Sequence, residues 1–202
     1  MTKPLYRYVL SMFVLALLLP SCSATTQLTS VWRDQTYQDH PRKILVLGML
    51  KTPGNRRILE DEMVRQLKAH GTDAVAGYTV LPEQIEANKE TITAIMNEIG
   101  ADAVLISRLM DKKSVTTYVP GSPPPTGYGW QGYYSYNQGY TVQDEYAVVQ
   151  TNLYDLKTNK LIWTAASETW VSGDNDNLIL KFTEIIGDAL ARQKVISGGP
   201  AK

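Results

Sequence analysis

Cys22 is the only thiol in this 202-residue chain. A lone cysteine can accept an acyl group or act as a nucleophile, but it cannot close an internal disulfide. Two histidines accompany it, His40 and His70, and neither sits in a recognisable motif. His70 precedes Gly71 at the expected end of a helix, where a basic side chain serves the last carbonyls. The chain therefore lacks a nucleophile–base pair, and it lacks the ligands of a zinc or haem site. Asp174-Asn175-Asp176-Asn177 carries the oxygens that calcium favours. An EF-hand counted from Asp174 would need an oxygen ligand, a glycine and a glutamate where Leu178, Ile179 and Ile185 stand. The cluster reads instead as the N-cap of a helix. Gly48 and Gly54 are not followed by the Gly-Lys-Ser/Thr ending of a phosphate loop. Glu60, Asp61 and Glu62 read as solvated acids near a helix start, where the dipole favours them. No residue set calls for a metal or cofactor, and the chain reads as non-enzymatic. Tyr128, Trp130, Tyr133 and Tyr134 remain. Aromatic rings on a glycine-rich stretch can stack on sugar faces or anchor a protein partner. The plainer alternative is a surface loop that binds nothing.

The surroundings of Cys22 give it a specific chemistry. Lys3 and Arg7 make a basic start, Val9 to Leu19 is apolar apart from Ser11, and Pro20, Ser21 and Cys22 follow. Such a segment reads as a secretory signal, too short for a comfortable membrane span. Leu19-Pro20-Ser21-Cys22 resembles the lipobox of bacterial lipoproteins. The resemblance implies a diacylglyceryl thioether on Cys22, cleavage before it, and fatty acylation of the new amino terminus. One acyl chain holds a protein only marginally, whereas two signals anchor it stably. Ser23 stands where the enterobacterial sorting rule would require aspartate for inner-membrane retention. The resemblance thus implies an outer-membrane anchor facing the periplasm.

Without the signal about 180 residues remain, enough for one domain with a core. Removing Lys3 and Arg7 from 20 basic residues leaves 18 against 20 acidic ones, a net charge of −2. That balance excludes a nucleic-acid surface, which needs a basic stripe. No further apolar run is long enough for a membrane helix.

Hydrophobic periodicity then orders the chain. Residues 22–43 form the lipidated cysteine and a polar tether anchored by Leu28, Val31, Trp32 and Tyr37; the tether can add an edge strand, and Trp32 is expected to pack on the domain. Ile44–Leu50 is a nearly unbroken apolar run, expected as a strand buried on both faces. Thr52 to Asn55 start a helix that reaches His70, with Leu59, Met63, Val64 and Leu67 as its stripe and Gly71 as C-cap. Asp73–Tyr78 is a short strand, Lys89–Ile99 a second helix ended by Gly100, and Ala103–Met110 a third strand. Two strand–helix–strand units imply a partly parallel sheet with right-handed crossovers. Residues 114–142 are rich in Tyr, Gly and Pro, cannot build a core, and read as a flexible loop between the third strand and the next. Gln143–Asp155 and Lys160–Trp170 form a hairpin about a short turn at Lys157-Thr158-Asn159. A last helix follows, from about Leu178 to Val195, and residues 197–202 are a tail. The expected fold is α/β or α+β: one domain over residues 44–196, with a mixed sheet of about five strands in the order βαβαβ, β-hairpin, α.

Three phrases carry a wider resemblance: Arg42-Lys43-Ile44-Leu45-Val46-Leu47-Gly48, Gly100-Ala101-Asp102-Ala103-Val104-Leu105-Ile106, and Asn152-Leu153-Tyr154-Asp155 continuing to Ile162-Trp163. With the lipobox, they resemble an uncharacterised family of bacterial envelope lipoproteins. Their order is more distantly similar to the periplasmic domain type of the TolB amino-terminal domain, LpoB and CsgG. These are strand and turn phrases, so they imply fold rather than chemistry, and Cys22 is the one functional residue they carry across. No pair of alternating segments stands out as the membrane hairpin of a CsgG-type pore. The expected function is a lipid-anchored module that binds an envelope protein or assembles with itself. The alternative is a peptidoglycan- or polysaccharide-binding lipoprotein that uses the aromatic loop.

Overall fold

A computed structural model describes residues 26–81, 89–120, 140–171 and 175–197. Six strands form one mixed sheet in the order β1-β6-β5-β4-β2-β3. They are β1 (Thr26–Arg33), β2 (Lys43–Met49), β3 (Asp73–Ala76), β4 (Ala103–Val119), β5 (Tyr140–Asp155) and β6 (Lys160–Trp170). Three helices pack on it: α1 (Pro53–Ala69), α2 (Lys89–Ile99) and α3 (Asn175–Arg192). β2 pairs in parallel with β3 and β4, and the other pairings are antiparallel.

The apolar run of β2 is buried on both faces because helices cover both. Ile44 and Val46 join the core under α1 and α3, with Leu59, Met63, Leu67, Phe182, Ile186 and Leu190. Leu45 and Leu47 point the other way and pack with Met96, Ala101 and Val104 beneath α2. Trp163 is fully buried in the larger core, and its indole N–H donates to Gln193 Oε1 at 2.9 Å. Pro53 opens α1 at its first turn, where a missing N–H costs nothing. Gly71 and Gly100 end α1 and α2 at φ +83° and +69°. Asn159 takes φ +54° in the β5–β6 turn, where Asp155 Oδ1 accepts from the Thr158 N–H and hydroxyl at 2.7 and 2.5 Å.

The sheet has six strands rather than about five. The added strand lies in the tether, where β1 pairs antiparallel with β6 and forms one sheet edge. The tether continues past β1 to Tyr37, whose hydroxyl donates to Asp155 Oδ2 at 3.0 Å and ties it to the β5–β6 turn. Burial raises the Asp155 carboxyl, but hydrogen bonds from Thr158 and Tyr37 outweigh it and leave its pKa below the ordinary value. Burial first, and then the hydrogen bond to Asp155, push the Tyr37 phenol well above its usual range. A carboxylate whose pKa is lowered by folding stabilises above its unfolded pKa and loses that contribution as pH falls through the folded one. Tyr37→Phe is therefore expected to cost about 1 kcal/mol at neutral pH. That difference should shrink below about pH 4, as urea unfolding of both proteins across pH would reveal.

Of the three acids near the start of α1, Glu60 differs from the expectation of a solvated side chain. Glu60 is fully buried, Asp61 accepts from the Tyr78 hydroxyl at 2.8 Å, and Glu62 pairs with Arg65. Glu60 Oε1 accepts from the Gly48 N–H and from Arg56 Nε, both at 2.8 Å, and Oε2 accepts from the Tyr78 N–H at 2.6 Å. One carboxylate thus closes backbone donors of β2 and of the turn after β3 over the first turns of α1. At Gly77 a Cβ would run into Leu47 Cδ2 and approach the Val46 carbonyl oxygen at 2.8 Å, so only glycine fits this crossing. His70 does not serve helix carbonyls with its ring; the ring lies 3.3 Å from Asp188 of α3, across the α1–α3 contact.

Candidate functional site

The candidate site is built on the β4–β5 hairpin. Ala103–Val119 and Tyr140–Asp155 pair in register over nearly their full length, ending at Val119 opposite Tyr140. β4 does not stop at Met110 as its apolar run predicts, and Ser114–Val119 and Tyr140–Val142 are strand rather than loop. Neighbouring strands end earlier. β2 last pairs at Met49 with Arg108, and β6 last pairs at Trp170 with Tyr146. Beyond these points β4 and β5 continue as a two-stranded ribbon, Ser114–Val119 against Tyr140–Glu145. At ~3.3 Å per residue it projects about 20 Å. Met110 is an extra residue in β4 just past its last pairing with β2, a bulge that adds bend and twist. An isolated two-stranded ribbon is marginal in water; this one is held because both arms run on into the six-stranded sheet.

Alternation gives the ribbon two unlike faces. Val115, Thr117 and Val119 share one face with Tyr140, Val142, Asp144 and Tyr146. Ser114, Thr116 and Tyr118 share the other with Thr141, Gln143 and Glu145. Tyr118 and Tyr140 are 64% and 58% exposed near the far end. At the base, Trp170 Nε1 donates to Asp144 Oδ1 at 3.1 Å, and Lys113 lies 3.4 Å from Glu168.

The valine-bearing face continues onto the sheet. Trp32 pairs across from Thr164, and Thr164, Ala166, Glu168 and Trp170 alternate along the same face of β6. Gln150 and Asn152 hydrogen-bond to Thr164 on this face, at 2.5 and 2.6 Å, and Asn152 Nδ2 donates to the Tyr154 hydroxyl at 3.2 Å. Helices α1 and α3 pack on the opposite face, and the core beneath α2 takes in β2, β4 and, at the near end of β5, Tyr154. Among the described residues, no helix covers this face of β1, of β6 or of β5 before Tyr154. Trp32 is accordingly 49% exposed and does not pack into the domain as expected; Trp170 is 42% exposed.

Tyr128, Trp130, Tyr133 and Tyr134 lie outside the described residues, as does Cys22. Among the expected contact residues, only the strands that lead to them are described: residues 120–139 leave β4 at Val119 and return at its partner Tyr140. Sequence reasoning missed Trp32, Tyr118, Tyr140 and Trp170 as exposed aromatics. Alternation of Val115, Thr117 and Val119 is the signal that could have placed Tyr118 on a solvent face. Among the described residues there is no group of three or more His, Cys, Asp or Glu able to hold a metal, and no helix long and apolar enough to cross a membrane. Asp174 lies outside the described residues, and α3 begins within its cluster, at Asn175.

No protein-family profile matches the chain, and no curated protein matches it. Solved structures do. The PelC dodecamer from Paraburkholderia phytofirmans is similar at 14% identity and TM-score 0.44, covering 79% of this chain and 95% of that one. Lipoprotein GNA1162 from Neisseria meningitidis is similar at 15% identity and TM-score 0.42, covering 75% of this chain and 99% of that one.

Proposed function

We propose that this chain is a lipid-anchored, non-enzymatic module of the bacterial envelope. It is held at the outer membrane, on the periplasmic side, by acyl chains on Cys22. It binds another envelope protein, or a second copy of itself, through the ribbon and the aromatic segment that the ribbon carries. The resemblance to the LpoB, TolB and CsgG domain type belongs to the same proposal.

One observation carries it. Thr26 pairs with Thr169, near the end of β6 from which the ribbon departs. Only three residues separate Cys22 from Thr26, at most about 14 Å of extended chain. The anchor and the ribbon therefore belong to the same end of the domain. A membrane attached there keeps the exposed aromatics of the ribbon close to the bilayer, where they can meet a membrane-proximal partner. Tyr and Trp suit that work because they bring contact area at little entropic cost.

The test is crosslinking and affinity capture from intact envelopes, comparing the full chain with one in which residues 120–139 are replaced by Asn-Gly. This turn suits a two-residue hairpin. The expected result is specific protein partners, or self-crosslinks, that fall at least tenfold in the shortened chain and in Trp170→Ala. Equal capture by all three would contradict the proposal. Retention on isolated cell wall that depends on residues 120–139, without any protein partner, would favour the glycan-binding alternative.

A further inference from the structure

At the ribbon end of the sheet, the first turns of α1 and α3 stand side by side over β4, β5 and β6. Between them lies a cleft of about 390 Å³, within the size range of small-molecule sites. Leu59 of α1, Leu178, Ile179 and Phe182 of α3, and Leu109 and Val149 of the sheet make its walls apolar. Two cations line it, Lys51 and Lys112, both exposed, and among the described residues no acidic side chain does. Neither ammonium is ion-paired among the described residues; the neighbouring lysine of β4, Lys113, is the one that pairs with Glu168.

The ligand must match both parts. A sugar or a free phosphate would leave the apolar walls against water or against unpaired polar groups. A neutral hydrocarbon would leave the two ammonium groups unused. The start of α1, next to Lys51, adds the positive end of a helix dipole to the same rim. Thr169 also lines the cleft, and its hydroxyl lies 2.9 Å from that of Thr26. The cleft therefore opens at the end where the proposed anchor would hold lipid.

We propose that this cleft binds one single-chain anionic amphiphile, a long-chain fatty acid. Its chain lies between α1 and α3, and its carboxylate meets Lys51 and Lys112. The inference rests on the cleft and not on the assembly role, so either can fail alone.

The test uses the full chain reconstituted in phosphatidylcholine vesicles and a photoreactive palmitate, with labelled peptides mapped by mass spectrometry. Labelling should fall on residues 109 and 178–182. Palmitate should compete at least tenfold better than uncharged hexadecanol, and competition should weaken about fourfold for each methylene removed. The paired change Lys51→Gln and Lys112→Gln should erase the preference for palmitate while leaving hexadecanol competition unchanged. Ala147→Trp, on a half-buried wall position, should cut labelling at least tenfold with an unchanged circular dichroism spectrum. Labelling spread over the exterior, or equal competition by palmitate and hexadecanol in the unaltered chain, would overturn the proposal. So would labelling that appears only in Cys22→Ala, since the cleft would then belong to the chain's own acyl group.

Discussion

Glu60→Ala is expected to destabilise the domain by about 3–5 kcal/mol, the range seen when one partner of a buried ion pair is removed. Three donors converge on this carboxylate: the Gly48 N–H, the Tyr78 N–H and Arg56 Nε. Alanine would leave two backbone donors without acceptors, at about 1–3 kcal/mol each. It would also strand Arg56, whose side chain is only 25% exposed. Glu60→Gln separates the contributions. The amide oxygen can still accept from one backbone N–H, but the amide nitrogen then faces a second donor, so the loss should be smaller than for alanine but still measurable. Urea unfolding of the three proteins checks the order. Equal midpoints would mean that water serves these donors as well as Glu60 does.

That carboxylate marks a limit of sequence reading. Beside Asp61 and Glu62, Glu60 looks like one more surface acid of a helix start. Its two backbone partners, Gly48 and Tyr78, lie outside its helix, and the pairing depends on how closely α1 crosses β2 and the turn after β3. Arg56, four residues earlier, is the local hint. The core elements were legible for the opposite reason. Ile44–Met49 and Ala103–Leu109 are apolar because both their faces or their inner face are covered, and Leu59, Met63 and Leu67 recur at helical spacing.

β1 was harder to place. Leu28 and Val31 both pack on the larger core although they are three residues apart. The pairing register shifts between Leu28 and Ser30, so an extra residue breaks the alternation that would announce a strand. The outer half of the hairpin hides differently. It is solvated on much of both faces, so it needs few aliphatic residues, and its composition matches that of a loop. The contact residues expected at Tyr128, Trp130, Tyr133 and Tyr134 lie beyond the paired arms. The exposed aromatics on the arms, Tyr118 and Tyr140, depend on register and on where neighbouring strands end.

The second large effect concerns Cys22. Cys22→Ala is expected to abolish acylation, and with it essentially all membrane attachment. A chain without acyl groups keeps none of the ~0.8 kcal/mol that each buried methylene contributes to anchoring. The domain itself should be unaffected, because its first strand, β1, starts at Thr26, four positions later. Intact mass and flotation of the expressed chain beside Cys22→Ala therefore test whether Cys22 carries the anchor. The expected result is a chain starting at Cys22 with diacylglyceryl and fatty acyl mass, floating with outer membrane, and a variant that carries neither the mass nor the buoyancy. An unmodified Cys22, or cleavage at another position, would contradict it.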